Sequence, residues 1–480
     1  MNHHSPEDKN VRRVRQLIWL YFWLLLIEGA LRKWVLPQLS NPLLIVRDPV
    51  VLLAYYFALR GGVFPRNVWI YVLGMIAVFS SAASFLVLWP YLPPTRIALV
   101  TGFGFRSNFL HLPLIFVMAR VLRWEDVKRF GWWTLVLMLP MALLMVGQFR
   151  AAPDAFLNWT AGGEGEMMLS ALGKVRTAGT FSFVTGVVAF CAVATAYLVW
   201  AALRRDVYKN WLLFAAGGAL LIAIAVSGSR SVVGACIVVV ASLIPILFLR
   251  PAAVNRFGQT LIVALVLGVI VTRLPIFKEG FNVLSTRFVE VAEATEKSIG
   301  RGMVERAFSD FKEGFLFLTR APFLGYGLGI GTNGGAKFLV GRSTFLLSEG
   351  EWSRIFLESG PVFGLGFVLF RCALAFYVGL MSIRSVRSGN VLPLLLFSAS
   401  FLAVLSGQFG QPTILGFAVF TFGLALAARH GDAEDLPAPP SEPQRRATPR
   451  FHTVRGRSAY AEQLHGSAAQ PAHVNGSVDR

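Results

Sequence analysis

Charge is scarce in this chain of 480 residues: 15% are Asp, Glu, Lys or Arg, against roughly 25% in soluble domains. With 55% of the residues hydrophobic, that scarcity argues against a water-soluble globule. Cysteine is scarcer still. Cys191, Cys236 and Cys372 all fall inside apolar runs, so they read as small buried hydrophobes and not as a disulfide or metal framework. Acids are also short, 26 against 45 Lys and Arg, which leaves a formal charge of +19. The excess base sits mainly at the ends of apolar runs, where membrane topology explains it, so no nucleic-acid partner is expected.

What the chain has in abundance is apolar runs of membrane-crossing length. They lie near 16–31, 43–59, 68–89, 97–119, 130–149, 179–203, 210–227, 231–249, 258–274, 355–383, 390–407 and 411–428. A lipid-embedded backbone must satisfy its own polar groups, so an all-α integral membrane protein of about 12 transmembrane helices is expected. Arg12, Arg13 and Arg15 precede the first run without a small-residue cleavage site after it, which reads as an uncleaved first helix.

Basic-loop alternation tests the count. With the N-terminus inside, the loops 60–67, 120–129, 204–209, 250–256 and 384–387 and the N-tail hold 17 Lys and Arg. The short outer loops 32–41, 90–96, 150–178, 228–230 and 408–411 hold 7. The resulting organisation is a cytoplasmic N-tail over 1–15, a polytopic membrane domain over 16–428 with a large external loop at 275–354, and a cytoplasmic tail over 429–480. The tail is rich in Pro, Ala, Ser and Arg and reads as disordered. Within the large loop, Leu284, Phe288 and Val291 recur at helical spacing over 284–318, as in helices lying along a membrane surface. No internal repeat is evident, which disfavours transporter folds built from paired halves.

Ionisable residues inside the runs are Glu28, Arg47, Asp48, Arg106 and Arg371. Their cost in lipid makes each a functional candidate, although Glu28 one turn before Arg32, and Arg47 beside Asp48, also suit structural pairing. At the outer helix ends stand Arg176, in Val175-Arg176-Thr177-Ala178-Gly179-Thr180-Phe181, and Arg230, in Ser227-Gly228-Ser229-Arg230-Ser231. A guanidinium fork suits phosphate oxygens, and the competing role is an interfacial anchor. The large loop closes on Pro322-Phe323-Leu324-Gly325-Tyr326-Gly327, then on Glu349, Glu351, Arg354 and Glu358. The glycines lack the strand-turn-helix context of a dinucleotide site, so they read as a compact turn. A carboxylate there could deprotonate a sugar hydroxyl while Arg354 holds phosphate; a solvated helix start is the bland alternative.

Three segments resemble the O-antigen ligase and Wzy-type polymerase superfamily of bacterial cell-surface polysaccharide assembly. Arg176-Thr177-Ala178-Gly179-Thr180-Phe181 is similar to its Arg-x-x-Gly-x-Phe element, and Ser229-Arg230-Ser231 to its Ser-Arg element. Pro322-Phe323-Leu324-Gly325-Tyr326-Gly327 with Leu357-Glu358-Ser359-Gly360-Pro361-Val362-Phe363-Gly364 resembles its closing Pro-x-x-Gly-x-Gly and Glu-x-Gly-x-x-Gly segments. The resemblance implies a metal-independent, cofactor-free membrane glycosyltransferase of the bacterial inner membrane. It would move a glycan from undecaprenyl pyrophosphate to an acceptor glycan or lipid A core. Membrane lipids and other polysaccharide assembly proteins are the further partners it implies.

In that frame Arg176, Arg230 and Arg354 bind pyrophosphate, Glu349 or Glu351 takes the acceptor proton, and Glu358 and Arg106 support. The family's loop histidine has no counterpart, because no histidine occurs between His111 and His430. That departure slightly favours a polymerase over a ligase. The rival readings are a 12-helix secondary transporter, with Glu28, Asp48, Arg106 and Arg371 along a midplane path, and a non-catalytic member of an assembly complex.

Overall fold

The computed structural model describes residues 6–162, 169–204, 206–249, 258, 266, 268–295, 311–341 and 344–431. Among them the chain is helical, with one isolated antiparallel bridge, Leu169 to Val175, and no strand. Eight segments are long and apolar enough to cross a membrane: Lys9–Val35, Pro37–Arg60, Val68–Leu88, Trp124–Arg150, Val184–Leu203, Arg230–Leu249, Glu351–Arg387 and Pro412–His430. Asn210–Val226 and Leu392–Ser406 are shorter apolar helices. The protein is thus an all-α protein of membrane type.

In chain order the helices are α1 (Pro6–Ala30), α2 (Arg47–Arg60), α3 (Val68–Leu88), α4 (Pro94–Phe105), α5 (Leu114–Val121), α6 (Trp124–Arg150) and α7 (Val184–Leu203). They continue with α8 (Asn210–Val226), α9 (Arg230–Ala241), α10 (Leu243–Leu249), α11 (Pro275–Thr295), α12 (Asn333–Val340), α13 (Glu351–Arg387), α14 (Leu392–Ser406) and α15 (Pro412–Ala427). At about 1.5 Å per residue, the 16 residues of α15 cover about 24 Å, most of a hydrocarbon core.

Several apolar runs are broken where the sequence suggests one helix. The run at 97–119 becomes α4, a π-helical turn over Arg106–Leu110, and α5. The run at 231–249 breaks at Ser242. The run at 355–383 starts earlier, at Glu351, and is interrupted at Gly360, whose φ of 70° precedes Pro361. Helix α1 starts at Pro6, within the segment read as the N-tail, and Val14 is already buried. In the large loop, α11 and residues 311–320 are helical, as the spacing predicts for those parts. Residues 259–265 and 267 of the 258–274 run, residues 296–310 and 342–343 of that loop, and the tail from 432 lie outside the described residues.

Aromatic packing ties α1, α6 and α15 together. Trp19 stacks on Phe130 at 3.8 Å, Phe22 stacks on Phe420 at 5.4 Å, and Phe130 meets Phe420 edge-on at 5.1 Å. Such ring pairs add to the apolar area they bury. One end of this bundle gathers the starts of α2, α7, α13 and α15, and the site lies there.

Candidate functional site

The break in α13 builds the site's floor. Pro361 lacks a backbone N–H, and the turn at Gly360 frees the carbonyls of Leu357 and Glu358 from the helix ladder. The glycine-rich turn supplies the missing donors. Tyr326 N donates to Leu357 O at 2.8 Å, and Gly327 N donates to Glu358 O at 3.1 Å. The approach is close enough to demand glycine on both sides. A Cβ on Gly360 would sit 2.2 Å from Phe323 O, and one on Gly325 would sit 2.4 Å from Glu358 O. The Pro-x-x-Gly-x-Gly and Glu-x-Gly segments are therefore one structural unit, a compact turn docked on an interrupted helix.

That unit encloses a cage of charge. Arg354 donates from Nε to Glu351 Oε2 at 3.0 Å, from Nη2 to Glu351 Oε1 at 3.0 Å, and from Nη1 to Glu358 Oε2 at 2.7 Å. Its Nη2 also donates to Asn108 Oδ1 at 2.9 Å. Arg371, wholly buried mid-helix, reaches back to Glu351 Oε1 at 2.6 Å. It also donates to the carbonyls of Ala403, Val404 and Gly407, which close α14. Phe409 N adds a fourth bond to Glu351 at 3.2 Å, while Glu358 Oε1 accepts from Gly331 N at 2.9 Å. Glu351 thus has both oxygens engaged by two guanidiniums and an amide, and is 1% exposed. Unpaired, each of these ions would cost several kcal/mol to bury.

A second buried network lies alongside. Arg47 donates to Glu28 Oε2 at 3.0 Å, to Tyr21 Oη at 3.3 Å and to Pro412 O at 2.6 Å. Asp48 accepts from Arg106 Nε at 2.6 Å and bonds His111 Nε2 at 2.9 Å, whose Nδ1 meets Tyr21 Oη at 3.1 Å. Glu28 does pair with Arg32, at 3.5 Å. The expected pairing of Arg47 with Asp48 does not form: each turns to a different network partner. The π-helical turn Arg106–Leu110 joins the two networks, since Arg106 serves Asp48 and Asn108 serves Arg354.

Arg176 and Arg230 are half-buried, and their segments are bonded to each other. Thr177 Oγ1 donates to Val226 O at 3.2 Å, and Ser170 Oγ donates to Gly228 O at 3.1 Å. Arg230 opens α9 with its guanidinium 6.0 Å from the ring of Phe288 on α11. This pair of segments belongs to the same end of the bundle as the cage, because Thr185 at the start of α7 bonds Gln411 at the start of α15 at 3.3 Å.

A small cleft opens beside the cage, lined by Glu349, Glu351, Arg354, Thr332, Asn333, Gln408 and Gln411 among others. Glu349 is exposed to it, whereas Glu351 is sealed beneath. The structure therefore gathers Glu349, Glu351 and Arg354 at one cleft, with Glu358 behind Arg354 in the cage and Arg106 one network away. Sequence reasoning missed Asn108, His111, Gln408 and Gln411. The short polar turn Gly407-Gln408-Phe409-Gly410-Gln411 between two apolar runs was the available signal. Among the described residues no group of three or more His, Cys, Asp or Glu could hold a metal ion. A scan of protein-family models finds no match, and a search of curated proteins finds none either.

Proposed function

We propose that the chain is a glycosyltransferase acting on a polyprenyl-pyrophosphate-linked glycan at the outer face of a bacterial inner membrane. The observation that carries this reading is the convergence of three distant segments, around Arg176, around Arg230 and around Gly325 to Gly360, on one end of the bundle beside a cleft carrying a carboxylate and a guanidinium. In this reading α4 with α5 and α9 with α10 count as one crossing each, α11 and α12 lie outside the membrane, and the apolar run at 258–274 is taken as the twelfth crossing, with both termini inside. Positive-inside alternation then puts the cleft outside.

In this mechanism an acceptor hydroxyl attacks the anomeric carbon, the bond from that carbon to the pyrophosphate oxygen breaks, and the hydroxyl proton passes to Glu349. Polyprenyl pyrophosphate leaves as an anion steadied by Arg230, Arg176 and the one N–H of Arg354 not engaged in the cage. Glu351 and Glu358 hold Arg354 and act as positioning residues. The acceptor, another lipid-linked unit for a polymerase or lipid A core for a ligase, is left to the assay. Arg230→Ala is expected to abolish transfer while the protein still inserts and purifies at wild-type yield; wild-type transfer by this variant would refute the assignment. The transporter reading finds less support, since Arg371 is tied to Glu351 and three carbonyls, and Glu28, Asp48 and Arg106 are paired at one end.

A further inference from the structure

At the opposite end of the bundle a cleft of about 550 Å³ opens where α5, α13 and α15 come together with the start of α6. Its rim carries Arg120, Arg123 and Arg429, all exposed, and among the described residues none of the three forms an ion pair with a carboxylate. Two acids beside the cleft are engaged elsewhere: Asp126 pairs with Arg15 at 3.1 Å and Glu125 with Lys128 at 3.9 Å. Trp124 lines the same cleft at 8% exposure, and among the described residues its buried indole N–H has no hydrogen-bond partner. Below the arginines the wall turns aromatic. Phe116 and Tyr377 line it, and Trp69 stands against both, at 6.4 and 5.2 Å between ring centroids.

We propose that this cleft binds the phosphodiester headgroup of an anionic phospholipid, with one acyl chain along the Phe116 and Tyr377 wall. Three exposed guanidiniums without carboxylate partners among the described residues fit a phosphate anion. The aromatic wall beneath them has no use for a free anion but suits an acyl chain. The end in question is the one that basic-loop counting assigns to the cytoplasmic leaflet, where anionic lipids concentrate. The inference is independent of glycosyl transfer, because no residue of the outer cleft takes part.

The test uses the full chain, purified in neutral detergent, with lipid retention read by native mass spectrometry. Phosphatidylglycerol, phosphatidylcholine and inorganic phosphate are offered in separate arms. Wild type is expected to retain phosphatidylglycerol over phosphatidylcholine by at least tenfold. Arg120→Gln, Arg123→Gln and Arg429→Gln combined should bring that preference close to parity, since about a fivefold loss per interfacial arginine cancels a preference of up to roughly 100-fold, with unchanged thermal stability. Phe116→Ala should weaken phosphatidylglycerol retention without changing competition by inorganic phosphate. Equal retention of the two lipids by wild type, or an unchanged preference in the triple variant, would overturn the proposal. So would full displacement of the lipid by millimolar inorganic phosphate, which would make the site one for a soluble anion. The rival occupant is the acidic stretch Asp432, Glu434 and Asp435 that follows in the sequence. If wild type retains no phosphatidylglycerol and only Asp432→Asn, Glu434→Gln and Asp435→Asn combined does so, the chain fills its own cleft and the proposal falls.

Discussion

Replacing Glu351 with alanine removes the one carboxylate shared by two buried guanidiniums. Arg354 would keep Glu358 and Asn108, and Arg371 would keep three backbone carbonyls, so neither becomes wholly orphaned. Yet one negative charge would no longer balance two fully desolvated positive ones, and the Phe409 amide would lose its acceptor. Breaking a buried ion pair from one side costs about 3–5 kcal/mol. For a chain of this length we expect a fall in midpoint on the order of 5 °C, given the smaller shift per kcal/mol in larger proteins. The assay is thermal unfolding of the purified chain in detergent, followed by loss of the monomer peak. Glu351→Leu combined with Arg371→Met should recover part of the loss, because an apolar pair replaces an unbalanced charge. A Glu351→Ala variant within about 1 °C of wild type would refute the account of the cage. If Glu351→Gln kept its midpoint but lost all transfer, Glu351 rather than Glu349 would be the base.

Three other variants separate chemistry from scaffold. Glu349→Gln, at an exposed position, should leave the unfolding midpoint within about 1 °C and lower the transfer rate by about 10²-fold or more, as loss of a general base does. Gly360→Ala forces a side chain into φ 70° and against Phe323 O, so it should cost more than about 2 kcal/mol and impair transfer; Gly366→Ala, whose added Cβ would meet only the Ile76 side chain at 4.0 Å, should be neutral or stabilising. Asp48→Ala leaves Arg106 and His111 without their shared acceptor and should cost about 3 kcal/mol, while His111→Ala, after which Arg106 still pairs with Asp48, should cost about half that.

The helices were legible because apolar runs are a direct record of lipid exposure, and ten of the twelve runs contain a segment of suitable length or a shorter apolar helix. Breaks were less legible. Gly360-Pro361 is a sequence signal for interruption, but the π turn at Arg106–Leu110 has no local cause in its residue types and exists to serve partners on α2 and α13. The ion pairs divide in the same way. Glu28 and Arg32 are one helical turn apart and do meet, whereas neighbours such as Arg47 and Asp48 point about 100° apart around a helix and cannot share a partner face. Arg371 finds Glu351 only because the chain breaks at Gly360 between them, which spacing along an unbroken helix would forbid. The same physics hid Asn108 and Gln408, polar residues whose importance comes from what distant segments bring to them.

The central claim is tested most directly by reconstituting the full chain in vesicles with a polyprenyl-pyrophosphate-linked glycan and measuring released polyprenyl pyrophosphate together with glycan transfer. Stoichiometric release and transfer are expected, which Arg230→Ala abolishes and Glu349→Gln lowers by about 10²-fold or more. Movement of a solute across the vesicle membrane, with neither transfer nor release, would contradict it.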